Sequence, residues 1–290
     1  MIRVIIVLCL FIIQGTYGVE ISTLKKSLFQ PPYPFHYDLH IHLIPGNSSN
    51  ENVLICCHGY GSNYSIADTI KSYRVTSDHI IGFNFPDYDI LMKGFKASKI
   101  SFGSIQELLP LIYLLKRVVV DAQTSQVSLY GFSAGGGAVI NTIAALNSSQ
   151  YDTYLKQIGV NASDKEKILK AIQKGVVLLD APLKSMDEIA DQHAYSKETQ
   201  IVAQRYKFHQ FRPIDSLAKW NGLNLSVILF FQTPDEALTN RDDSLFIQRL
   251  QQYNSRGKTI VLVRNEGGHI AFHRSLWQAY QSLLANSKEN

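Results

Sequence analysis

The stretch that most constrains this chain is a glycine-rich turn carrying one serine. It reads Leu129-Tyr130-Gly131-Phe132-Ser133-Ala134-Gly135-Gly136-Gly137. Residues 126–130 before it read as a short strand, with Val127 and Leu129 alternating with polar neighbours. Residues 138–146 after it read as an apolar helix. A serine at the tip of such a sharp strand-to-helix turn presents its hydroxyl and holds a strained backbone. Its flanking positions must be small, because strand and helix approach closely there. Gly131 and Gly135 meet that need, and Gly136 and Gly137 extend it. A turn with an incidental serine is the competing reading, and the strand before and helix after weigh against it.

The rest of the chain alternates in the same way. Residues 37–44 read as an early edge strand, and Pro45-Gly46-Asn47 as a turn. Asn52–Cys57 is a continuous apolar run of the kind buried on both faces of a parallel sheet. His58-Gly59-Tyr60-Gly61 follows at once. Residues 66–73 read as a short helix and His79–Phe83 as a strand. Ser104 and Glu107 have capping-box spacing before an apolar helix, in which Pro110 predicts a bend or a later start. Further strands are expected over 174–180, 225–231 and 259–263, with amphipathic helices over 245–253 and 275–284. The expected fold is therefore α/β: a mostly parallel sheet flanked by helices. Ligands bind such sheets beyond the carboxyl ends of the strands. Two stretches exceed the plain alternation. Residues 150–172 look helical and charged. Residues 184–223 mix His193, Tyr195, Tyr206, Phe208, His209 and Phe211, and suggest a small helical cap over the site or ordinary surface helices.

Residues 1–18 read as a secretory signal peptide. Arg3 gives the positive start, residues 4–13 the apolar run and Thr16-Tyr17-Gly18 the small-residue cleavage stretch. The run is short for a membrane span. Residues 19–290 then form one domain of about 270 residues, exported to the periplasm or medium. A retained N-terminal membrane anchor is the alternative. Removing Arg3 takes the formal charge from +4 to +3. That mild balance, with no dense basic run, gives no indication of nucleic acid as a partner. Of the 3 cysteines, Cys56 and Cys57 remain after cleavage. Adjacent cysteines seldom bond to each other, so buried free thiols are expected in this apolar strand. His40 and His42 share a strand face, but no third ligand accompanies them, and no metal site is expected. Asn-x-Ser sequons begin at Asn47, Asn63, Asn147, Asn161 and Asn224. They matter only in a eukaryotic secretory pathway.

A serine hydroxyl is a weak nucleophile and needs an adjacent base, which in turn needs a third group to fix its tautomer. In this arrangement the chain order is serine, acid, histidine. Asn265-Glu266-Gly267-Gly268-His269 follows the last expected strand, and its glycines give a loop able to return His269 to Ser133. His273 is the rival, but it falls in or near the final helix. Asp235, in Gln232-Thr233-Pro234-Asp235-Glu236, is the expected acid, with Asp180 at the preceding strand end as the alternative. Asp242 and Asp243 fit the start of the next helix. The oxyanion donors are expected to be the amides of Ala134, just after the nucleophile, and of Tyr60 in the loop after the Asn52–Cys57 strand. The His58 side chain is expected to be a structural hydrogen-bonding group.

Together the His58-Gly59-Tyr60-Gly61 loop, the Gly131-Phe132-Ser133-Ala134-Gly135 elbow, Asp235 and Gly268-His269 resemble the alpha/beta-hydrolase superfamily. The resemblance covers residues 37–284. It implies nucleophile Ser133, base His269 and acid Asp235, a small-molecule acyl substrate, and no metal or organic cofactor. The serine at the elbow sets the chain apart from the dehalogenase and epoxide-hydrolase branches, which carry aspartate there. The implied activity is cleavage of carboxylic esters through an acyl-enzyme. A peptidase, thioesterase or acyltransferase would use the same triad. A non-catalytic binding relative would share only the fold.

Overall fold

A computed structural model describes residues 31, 33–34, 39–46, 52–60, 62–73, 79–86, 103–185, 210–232, 243–264 and 274–287. Its strands are β1 (Ile41–Ile44), β2 (Asn52–Cys57), β3 (His79–Phe83), β4 (Gln126–Phe132), β5 (Val176–Asp180), β6 (Ser226–Gln232) and β7 (Lys258–Arg264). They form a 7-stranded sheet in the order β1-β3-β2-β4-β5-β6-β7. β1 pairs antiparallel with β3, and every other pair is parallel. The main helices are α1 (Ile66–Ser72), α2 (Ile105–Lys116), α3 (Ala134–Leu146), α4 (Ala162–Lys174), α5 (Ser244–Tyr253) and α6 (Arg274–Ser287).

The strand sequences read as unbroken apolar runs because both faces of the sheet are covered. Val53, Ile55, Val127, Leu129, Val177 and Leu179 join the core shared with α2 to α5. Leu54, Cys56, Tyr130, Leu178 and Phe230 alternate with them and meet α1 and α6. Cys56 and Cys57 are buried free thiols on opposite faces of the sheet. Burial pushes the Cys57 thiol up, which keeps it protonated and inert. β7 is the outer edge, and Val263 there is 59% exposed. Among the described residues no helix is long and apolar enough to cross a membrane. Residues 1–18 lie outside them.

Two boundaries differ from expectation. α3 starts at Ala134, not four residues later, so Gly135, Gly136 and Gly137 form its first turn. α2 starts at Ile105 and runs through Pro110, so no later start occurs. The Ser104 side chain accepts from the Glu107 N–H at 3.4 Å. The Glu107 carboxylate reaches one residue past the cap to the Gly103 N–H, at 2.5 Å. That cap and the burial of Leu108, Leu111 and Ile112 offset the hydrogen bond Pro110 cannot make.

The charged 150–172 stretch is ordinary structure. Its main element, α4, opens on a full capping box between Asn161 and Asp164 and buries Ile168 and Ile172 against the sheet. The far end of the 184–223 stretch is also core. Phe211 packs on Tyr151 with ring centroids 4.5 Å apart, and buried Trp220 donates Nε1–H to the Ile140 carbonyl at 3.2 Å. The aromatic part expected to form a cap, 186–209, lies outside the described residues.

Candidate active site

The end of β4 abuts the start of α3 with Ser133 alone between them. Ser133 has φ 52 and ψ −119, a conformation that costs a non-glycine residue on the order of 1–3 kcal/mol. Four main-chain hydrogen bonds hold it there. Its N–H donates to the Asp180 carbonyl at 3.0 Å. Its carbonyl accepts from Gly136, Gly137 and Leu183, at 3.0, 3.2 and 2.8 Å. The side chain makes no cap hydrogen bond, which leaves the hydroxyl out of the scaffold.

Glycine is required around the turn because backbones meet there. A Cβ on Gly135 would stand 2.2 Å from the Cys57 carbonyl oxygen and 2.5 Å from that of His58. One on Gly131 would stand 2.6 Å from Gly136 Cα. Neither backbone can withdraw without opening the contacts of α3 with β2 and β4. Gly135→Ala is therefore expected to destabilise the protein by about 3 kcal/mol or more, read as a lower urea midpoint. A variant as stable as the parent would show that the elbow tolerates a methyl group.

The same close approach brings the loop after β2 to the nucleophile. A Cβ on Gly59 would lie 2.9 Å from the Phe132 ring and 3.2 Å from Ser133 Cβ. Tyr60 follows, half-buried against the α2-to-α5 core. Ala134, the other expected oxyanion donor, is the first residue of α3. Helix N-terminal N–H groups face outward with partial positive charge, suited to a developing oxyanion. His58 is fully buried. Its Nε2 accepts from the Phe85 N–H at 3.2 Å, so Nδ1–H is the donor to the Gly59 carbonyl at 2.8 Å. Both ring nitrogens are engaged in holding this loop, the structural role expected for the side chain.

Ser133 and Ala134 thus sit at the elbow, with Gly59, the residue before Tyr60, against Ser133. Asp235 and His269 lie outside the described residues, as do His273 and Asp242. Asp180, the alternative acid, is described: its side chain is fully buried, and Oδ2 accepts from the Tyr130 hydroxyl at 2.7 Å. Burial, and then the neighbouring Asp180 carboxylate, push the Tyr130 phenol well above its ordinary range. Asp243 precedes α5 as expected but does not cap it with its side chain. It pairs instead with Lys184 Nζ at 3.0 Å. Lys184 is itself buried, one residue past the Leu183 amide that holds Ser133. Lys184 and Tyr130 carry no signal along the sequence, because their partners are remote along the chain. A positive φ at buried Ala181, φ 44, was equally invisible. Among the described residues no group of His, Cys, Asp and Glu side chains is arranged to hold a metal ion. His42 pairs with Asp68 at 2.9 Å instead.

A mostly parallel sheet, helices on both faces and a serine elbow at the carboxyl end of a central strand define the alpha/beta-hydrolase fold. Solved structures agree. A carboxylesterase from Lactobacillus plantarum superposes with a TM-score of 0.52 at 13% identity, over 83% of this chain and 82% of that one. An esterase from Pyrococcus furiosus gives 0.53 at 12% identity, over 90% and 92%. Est1E from Butyrivibrio proteoclasticus, solved with ferulic acid bound, gives 0.51 at 13%, over 87% and 96%. At such identities the likeness speaks for the fold. No protein-family model and no curated protein sequence matches the chain.

Proposed function

We propose that this protein is a serine hydrolase that cleaves carboxylic esters through an acyl-enzyme. The observation that carries the reading is Ser133, strained at φ 52 at the mouth of α3 and flanked by the Gly59 loop. A residue that serves only as a turn has no need of that conformation, which glycine would adopt without strain. The neighbouring folds named as esterases support the ester class, and Est1E with its bound ferulic acid supports a carboxylic acyl group.

In this reading the Ser133 hydroxyl attacks the acyl carbonyl while His269 takes its proton. Asp235 fixes the imidazole tautomer and stabilises the imidazolium. The amides of Tyr60 and Ala134 receive the oxyanion of the tetrahedral intermediate. The intermediate collapses as His269 protonates the departing alcohol. Water, activated by the same imidazole, then attacks the acyl-serine, and the acid leaves with Ser133 restored. The Arg3 start and apolar run of residues 4–13 support export of the mature chain.

The direct test is covalent labelling. A fluorophosphonate probe phosphonylates a serine only where a base and oxyanion donors activate it. The expected result is one adduct, mapped by mass spectrometry to the peptide carrying Ser133. A folded protein that takes no label, or takes it on another serine, rules the reading out.

A further inference from the structure

Lys184 is 4% exposed, although lysine is among the residues least often buried. Its Nζ lies 3.0 Å from Asp243 Oδ1, at the start of α5. The place of Lys184 in the chain gives this pair a reach beyond packing. β5 ends at Asp180, so residues 181–184 have left the strand. The Ala181 N–H donates to the Phe230 carbonyl of β6 at 2.8 Å, and the Leu183 N–H to the Ser133 carbonyl at 2.8 Å. The Lys184 carbonyl accepts the Ile214 N–H at 3.1 Å. A Cβ on Gly137 would stand 2.9 Å from the Leu183 carbonyl oxygen and 3.0 Å from Pro213 Cγ. Residues 183–184 are thus wedged between the first turn of α3 and residues 213–214. The Lys184 side chain ties that wedge to α5.

The consequence concerns Ser133. Of the three N–H groups on its carbonyl, those of Gly136 and Gly137 belong to α3 itself. The Leu183 N–H comes from another element, so its position fixes the elbow relative to the end of β5. A residue held at φ 52 relaxes when its restraints loosen. Burying an ammonium is costly, and only a partner in good geometry offsets the cost. A methionine of similar length would fill the same volume without that cost, so packing alone does not account for a lysine here. We propose that Lys184 is a positioning residue of the hydrolytic site. Its ion pair with Asp243 holds the 181–184 segment so that the Leu183 N–H keeps the Ser133 carbonyl, and with it the nucleophile, in place. The proposal rests on the hydrolase reading above. Every contact it invokes lies among the described residues.

The test is steady-state hydrolysis of a small acetate ester, measured where thermal melts show each variant folded. Lys184→Met removes the ammonium and keeps the length of the side chain. It is expected to lower kcat about tenfold with KM within about twofold, because a misplacement of about 1 Å costs up to about 10² in rate. Lys184→Arg keeps the charge and is expected to recover most of the loss. Lys184→Met combined with Asp243→Leu leaves no unpaired charge, so its fold does not suffer from one, yet its kcat is expected to stay as low as that of Lys184→Met. A merely structural pair would instead let kcat return in the double variant, and that result overturns the proposal. A folded Lys184→Met with kcat within about twofold of the parent overturns it as well. If Lys184→Met does not fold, Asp243→Ala gives the same readout from a partly exposed position, and an unchanged kcat there is equally fatal. The rate of fluorophosphonate labelling is expected to fall in step with kcat, because the label reacts at the nucleophile. Labelling also separates the two failures. An unlabelled parent rejects the hydrolase, whereas a labelled parent with unchanged kcat in the variants rejects only the role of Lys184.

Discussion

Ser133→Ala is expected to lose hydrolysis of a small ester by on the order of 10⁶ in kcat while melting within a degree or so of the parent. Both halves follow from the elbow. The bonds that shape it are all main-chain: Ser133 N–H to Asp180, and the Ser133 carbonyl to Gly136, Gly137 and Leu183. Alanine keeps every one. It also tolerates φ 52 no worse than serine, because both carry a single Cβ substituent set against the same backbone. The hydroxyl makes no cap hydrogen bond, so its removal leaves the helix N-terminus as it stands. The residual rate would come from the oxyanion donors and substrate binding alone. Ester turnover by the purified variant, beside its thermal melt, checks the result. A folded Ser133→Ala protein with the parent's rate would remove Ser133 from the chemistry.

Asp235→Asn is expected to cost on the order of 10⁴ in rate at equal folded yield, far more than Asp180→Asn. Asparagine preserves the size of the orienting group but presents an N–H where the imidazole needs an acceptor, which favours the wrong tautomer. The large effect is assigned to Asp235 for two reasons. It follows β6, and a helix and β7 then lead directly to the His269 loop. Asp180, by contrast, already accepts the Tyr130 hydroxyl and is buried where Tyr130 meets Trp277 of α6. If Asp180→Asn were the crippling change and Asp235→Asn the mild one, the acid would be reassigned, with Ser133 keeping its role.

Much of this architecture can be read along the chain. Unbroken apolar runs such as Val53-Leu54-Ile55 announce strands covered on both faces, and each of the expected strands occurs within a few residues of its predicted span. The reason is local: a strand's burial pattern is written in its own side chains. Capping residues are local in the same sense, and Ser104 opens α2 as expected. The need for small residues after Ser133 is legible in the sequence, whereas their place inside the helix is not. Their smallness serves close packing inside the first turn of α3, against Cys57, Pro182 and Leu183.

The sequence by itself determined the alternation of strands and helices, the elbow at Ser133 and the loop expected to face it. Tertiary structure alone decided that Gly59 lies against Ser133, that Tyr130 holds Asp180 across 50 residues, and that Lys184 meets Asp243 across 59. Those contacts depend on which strands become neighbours and in what register. A residue's own periodicity carries no record of the partner strand, so a carboxylate at a strand end reads the same whether it orients a base, grips a turn or faces water.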